Sequence, residues 1–164
     1  MTNVAREMLF EASLQMVDAT TFLSAGDQEI VNLFAKCERV QSLTEKQQIV
    51  EMICTILTIN MQIEEEIFHP VLKLALKEKG IVSAATMSHA CLKYLISEIE
   101  NIDADSEIYD IKIRVLGEHV KEYVKEKRTK LFSKANASGK IDLWRLGEQL
   151  AMRKEELRNM HAKR

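Results

Sequence analysis

The chain contains few residues that interrupt helices: 5 glycines and 1 proline in 164 residues. Aromatic residues are also scarce, at 5%. Strands and hairpins ordinarily bring more of both, so a β-rich fold is disfavoured and long helices with short connections are expected. No block of Lys or Arg stands out and the formal net charge is -2, with a pI near 6.1. A phosphate-binding surface needs clustered positive charge, so nucleic acid is not an expected partner. Nor is a membrane: the most apolar stretch, 49–63, contains Glu51, Asn60 and Gln62 and is too short to span a bilayer. The opening residues, with Glu7 and Glu11, do not read as a signal peptide. The three cysteines, Cys37, Cys54 and Cys91, show no C-x-x-C spacing and sit in apolar helical patterns, which suggests buried thiols in a reducing compartment. No Ser or Cys has a recognisable base partner and no glycine-rich phosphate loop occurs, so an enzyme is not expected. A cytoplasmic, soluble protein is the expectation.

What the chain does have is 46% hydrophobic residues, enough for one domain spanning 1–164 with a sizeable core. A helical stretch from about Thr2 to Thr21 leads through Ser24-Ala25-Gly26 into a second from Asp27 to Arg39. Thr44 and Glu45 look like a helix start, and that helix should run to Glu78. Pro70 should kink it near Phe68–His69, and Gly80 should cap its end in a left-handed conformation. Further helices are expected over Ser83–Ile99 and Glu107–Lys134. After the break at Asn136-Ala137-Ser138-Gly139, a terminal helix is expected over about 142–163. The architecture implied is all-α: an up-down antiparallel four-helix bundle over about 2–134 with an additional C-terminal helix.

Reading each helix at its own period exposes an anomaly. The stripes run Leu23, Asp27, Ile30, Phe34, Cys37; then Ile53, Ile56, Asn60, Ile63, Glu64, Ile67, Val71. They continue with Val82, Ala85, His89, Leu92, Ile96, Ile99, and with Leu116, Val120, Tyr123, Lys127, Leu131. Each stripe is apolar except for one or two residues. Singly, these have ordinary explanations: a helix start for Asp27, satisfied core groups for Asn60 and His89, plain core with its hydroxyl at the edge for Tyr123, and a reach to solvent for Lys127. Isolated polar groups are costly to bury, so their recurrence in every helix points to a shared polar centre. Glu64-Glu65-Glu66 reads as one inward carboxylate and two solvated ones, and His69 and His161 read as surface residues.

These residues also carry a resemblance. Asp18-Ala19-Thr20-Thr21-Phe22-Leu23-Ser24-Ala25-Gly26-Asp27 resembles the D-A-x-x-L-L-K-A-D run, followed by a metal-binding His, of the hemerythrin-like (HHE) cation-binding family. The stretch from Asn60 through Glu64-Glu65 to His69-Pro70 is similar to that family's H-x-x-x-E-E-x-x-x-(Y/F)-P, and Ser88-His89-Ala90 to its E-H-x. The stretch from Glu122-Tyr123 to Phe132-Ser133 is similar to H-H-V-K-E-E-E-x-x-L-F-P, and the tail from Gly139 to Lys154 to an extension in bacterial members.

The resemblance implies a four-helix bundle, its first long helix running through the Ser24-Ala25-Gly26 junction, around a non-haem di-iron centre of histidines and bridging carboxylates that serves dioxygen binding, iron handling or redox sensing. Position by position, Asp27, Asn60 and Tyr123 stand where the family has His, and Lys127 where it has a carboxylate; only Glu64 and His89 match. An ammonium group has no lone pair to offer a metal and repels a dication. The primary expectation is therefore a bundle that has lost di-iron binding and acts as a non-catalytic binding or regulatory module without cofactor. Its polar core would be Asp27, Asn60, Glu64, His89, Tyr123 and Lys127, with Lys127 paired to Glu64 or Asp27. The alternative is a metal-dependent sensor or a dioxygen- or iron-binding protein, with iron or zinc held by a residual site of Asp27, Glu64 and His89. A protein partner or a homodimer is compatible with either. A third reading gives the emptied centre and the nearby Met52, Met61 and Met87 to a small apolar ligand.

Overall fold

The computed structural model describes residues 17–164, among which every regular element is helical. Helix α1 (Ala19–Arg39) is capped by Asp18, whose side chain accepts from the backbone N–H groups of Thr20 and Thr21. It runs unbroken through Ser24-Ala25-Gly26, so no junction separates two helices there, and Asp27 lies buried in mid-helix rather than opening a segment. Of the helix expected from Thr2 to Thr21, residues 2–16 lie outside the described residues, Val17 and Asp18 are not helical, and Ala19 to Thr21 belong to α1. After a short connection Ser42, not Thr44, caps α2 (Leu43–Ile63), accepting from the Glu45 N–H at 3.4 Å.

Helix α2 passes directly into a π-helical turn, Glu64–Phe68, and then α3 (His69–Ala75). In the widened turn the His69 N–H donates to the carbonyl of Glu64, five residues back instead of four. Pro70 follows immediately and has no N–H to give, so the expected disturbance is present and takes the form of a π turn. The helix ends at Ala75, before Glu78, and Gly80 lies inside α4 (Lys79–Glu100) instead of capping its predecessor. Helix α5 (Tyr109–Glu126) leads through a second π-helical segment, Lys127–Phe132, into α6 (Ser133–Ser138). The left-handed glycine that stops this helix is Gly139, at φ 63°. Asp142 caps α7 (Leu143–Ala162), accepting from the Arg145 N–H.

Helices α1 and α2 pack together, as do α4 and α5, and α7 lies against α1, α2 and the first π turn. Their inward apolar faces form one continuous cluster that includes Leu23, Ile30, Ile53, Ile63, Leu92, Leu116 and Leu150. Helix α7 crosses the start of α1 so closely that a Cβ at Gly147 would lie 2.3 Å from the Val17 carbonyl oxygen. Cys37 and Cys54 are buried, and burial pushes the Cys54 thiol up to about 12; Cys91 is exposed, so only part of the buried-thiol expectation holds. Met61 is buried, but Met52 and Met87 are exposed, which removes the methionine lining imagined around an apolar ligand. No described helix is long and apolar enough to cross a membrane.

Candidate functional site

The two π segments begin at Glu64 and Lys127, and these residues meet in the middle of the bundle. Lys127 is 1% exposed and its Nζ donates to Glu64 Oε1 at 2.6 Å and to Asp27 Oδ1 at 2.7 Å. The Tyr123 hydroxyl donates to the other Glu64 oxygen, Oε2, at 2.7 Å. His89 Nε2 lies 2.6 Å from that hydroxyl, and His89 Nδ1 lies 2.8 Å from Glu65 Oε1. Glu65 in turn accepts both of its Lys93 contacts, at 2.8 and 2.9 Å. A continuous chain of polar contacts therefore runs from Asp27 through Lys127, Glu64, Tyr123 and His89 to Glu65 and Lys93 at the surface. Charge-assisted bonds of this length, out of water, hold their partners strongly.

The electrostatics follow from that geometry. Burial alone would raise Glu64, but Lys127, the His89 hydrogen bond and the two nearby imidazoles together hold its carboxyl below the usual range. Burial alone would lower Lys127, and Glu64 and Asp27 more than reverse this. Asp27 is pushed up to about 6, chiefly by burial, with Lys127 opposing and Glu64 adding to the rise. Burial and the neighbouring Glu64 carboxylate raise the Tyr123 phenol well above its ordinary value, so it stays a proton donor.

Two sequence-derived positions behave differently. Asn60 is buried, yet neither its amide nitrogen nor its oxygen has a hydrogen-bond partner. It faces Gly26, where an added Cβ would come within 3.0 Å of Asn60 Nδ2 and 3.2 Å of Lys154 Nζ. Asn60 and Lys154 thus form a separate polar spot beside α1, outside the bonded chain. His69 is not a surface residue: it is 4% exposed, both of its ring nitrogens are unpartnered, and burial lowers it to about 4. Its Nε2 lies 3.8 Å from Glu64 Oε2, and its ring centroid is 5.1 Å from that of His89.

This changes which residues can hold a metal. Lys127 Nζ lies between Asp27 and Glu64, and an ammonium there offers a metal no lone pair. Asp27 is drawn to that ammonium and does not join a ligand group with Glu64 and His89. The group that does converge is Glu64, His69 and His89, all buried, with candidate ligand atoms within 4.8 Å of one another. Three contributors escaped the sequence reading. His69 was hidden by the π turn, which rotates it inward. Glu65 is half-buried against His89 instead of fully solvated. Lys154 follows Leu146 and Leu150 at four-residue spacing on the leucine stripe of α7, a signal the sequence did carry. Glu66 is exposed and bonds Arg153, and His119 is exposed.

No protein-family model and no curated protein matches the sequence. A search of solved structures finds a crystal structure of a hemerythrin HHE cation binding domain-containing protein from Mycobacterium kansasii. It superposes with a TM-score of 0.80 at 20% identity, covering 90% of this chain and 91% of the other. With the helix order and central polar positions above, this establishes the architecture: the chain folds as a hemerythrin-like helical bundle.

Proposed function

We propose that this bundle has given up di-iron binding and works as a non-catalytic binding or regulatory module whose centre is organised by Lys127. The observation that carries the reading is the pair of bonds from Lys127 Nζ to Asp27 and Glu64, at 2.7 and 2.6 Å. The ammonium supplies, from within the chain, positive charge that the carboxylates would otherwise take from metal. Such a buried arrangement need not add net stability over an apolar core, but it fixes one arrangement of the helices. Tyr123 and His89 extend the chain of contacts toward α4 and the surface, giving the centre a route by which binding can alter the packing of the bundle.

Iron analysis of protein purified without chelator, together with its absorption spectrum, tests this reading. The expected result is fewer than two irons per chain and no near-ultraviolet charge-transfer bands of a two-iron centre. Two irons per chain with near-ultraviolet charge-transfer bands would reject it. The unpartnered nitrogens of His69 favour a narrower version in which the centre still accepts one cation.

A further inference from the structure

We infer that the bundle binds a single divalent cation of the zinc or ferrous class at Glu64 Oε2, His69 and His89, on the face of Glu64 turned away from Lys127. This rests on the reading that Lys127 excludes a two-metal centre, and it names the ligand of that same centre.

Four observations converge. First, His69 is buried with neither ring nitrogen hydrogen-bonded. A buried imidazole without a partner loses its hydration for nothing in return, unless water or an ion completes it. Second, the spacing suits a small cation. Metal–nitrogen and metal–oxygen bonds of about 2.0–2.1 Å place tetrahedral donors about 3.3 Å apart. Glu64 Oε2 lies 3.3 Å from His89 Nε2 and 3.8 Å from His69 Nε2. No hydrogen bond holds His69 back from closing the remaining gap. Third, the surroundings already orient the donors. His89 turns Nδ1 to Glu65 at 2.8 Å, the carboxylate–imidazole contact that fixes a metal-binding His with Nε2 toward the ion. Lys127 holds Glu64 by its other oxygen, Oε1, leaving Oε2 directed at the two histidines.

Fourth, Tyr123 stands between the centre and a surface cleft. A cleft of about 240 Å³ between α4 and α5, bordered by Ser88, Cys91, His119, Glu122 and Glu126, shares Tyr123 with the centre. The Tyr123 hydroxyl sits 2.7 Å from Glu64 Oε2 and 2.6 Å from His89 Nε2, across the donors a cation would use. The phenol must withdraw or turn its oxygen to the ion as the cation arrives. Tyr123 is therefore the residue that separates the metal-free and metal-bound arrangements. His69 stands at the aromatic position before the proline in the motif that this helix resembles, so this third donor is particular to the chain, while Glu64 and His89 are the two positions that match the family.

The experiment is calorimetric titration of metal-free full-length protein with zinc chloride, repeated with cobalt chloride to read visible ligand-field bands. Wild type should bind one ion per chain and melt at higher temperature with it. His69→Phe should weaken binding by more than about a hundredfold, since losing only an orienting contact costs roughly 10–100-fold. Metal-free His69→Phe should melt no lower than metal-free wild type, because the replacement removes two unpartnered buried nitrogens. His69→Gln gives a second measure of binding should phenylalanine disturb folding. Glu65→Gln should retain one ion per chain at roughly tenfold to hundredfold lower affinity. No binding by wild type, or unchanged binding in both His69 variants, overturns the inference while leaving the Lys127 reading intact. Two ions per chain overturns both.

Discussion

Among the described residues two lysines are buried, and they sit in opposite circumstances. Lys127 bonds two carboxylates at 2.6 and 2.7 Å, and those partners raise it above the ordinary lysine value. Lys154 lies over the Phe22 ring at 5.6 Å, and its nearest carboxylate oxygen, on Glu29, is 3.9 Å away. Burial, with Arg158 adding to it, lowers Lys154. Similar burial therefore has opposite consequences, depending on whether a counter-charge is within hydrogen-bond reach. On the Lys127 side the ammonium and its two carboxylates satisfy one another. On the Lys154 side, Asn60 lacks partners and Gly26 leaves the room in which both side chains lie.

The comparison breaks most visibly at Lys127. Lys127→Met leaves the Asp27 and Glu64 carboxylates buried without their cation, and breaking half of a buried pair costs roughly 3–5 kcal/mol. For a chain of this size that lowers the melting temperature by on the order of 10 °C. An unchanged melting point would mean that the network holds nothing together. On the other side, Asn60→Leu keeps the approximate shape and removes two unsatisfied polar atoms, so chemical denaturation should show a gain of about 1 kcal/mol. Lys154→Met should stay within about 1 kcal/mol of wild type, because the side chain keeps its apolar packing and gives up only a long ion pair.

The smallest effect is the response to alkaline pH, where the two lysines differ in sign. Lys154, lowered in the folded protein, binds fewer protons than its unfolded counterpart just below 10.5, so its charge costs stability that returns as pH rises toward that value. The stability of Lys154→Met relative to wild type should accordingly fall as pH approaches 10.5 in a melting series. Lys127, raised when folded, contributes stability that is complete below 10.5 and is lost above it, as pH passes through its folded value. A deficit of Lys127→Met that persisted undiminished well above that point would contradict this assignment.

Much of this was legible in the residues. The 3.6-residue spacing of apolar side chains identified the helices, and interruptions at Asp27, Glu64, His89, Tyr123 and Lys127 marked positions that share one hydrogen-bonded chain. Boundaries were less secure. Asp18 and Ser42 cap helices because their side chains reach particular N–H groups, and neighbouring Ser and Thr residues offer the same chemistry. Gly80 illustrates the same limit: glycine permits a left-handed stop without requiring one, and here the stop is at Gly139. Asn60 shows that occupying a polar stripe position does not secure a partner.

The sequence by itself determined which helical faces are buried and which polar side chains go in with them, because periodicity and desolvation are local properties of the chain. Only the tertiary structure decided how those side chains pair. A π turn places the residue five positions on where an α-helix places the fourth, and so carries His69 from the expected surface into the centre beside Glu64. Lys127 takes Asp27 and Glu64 together, not one of them, because three helices converge within a hydrogen bond's length of its nitrogen. Distances of that kind are set by packing between segments about 100 and 63 residues apart in sequence, beyond what helical spacing can encode.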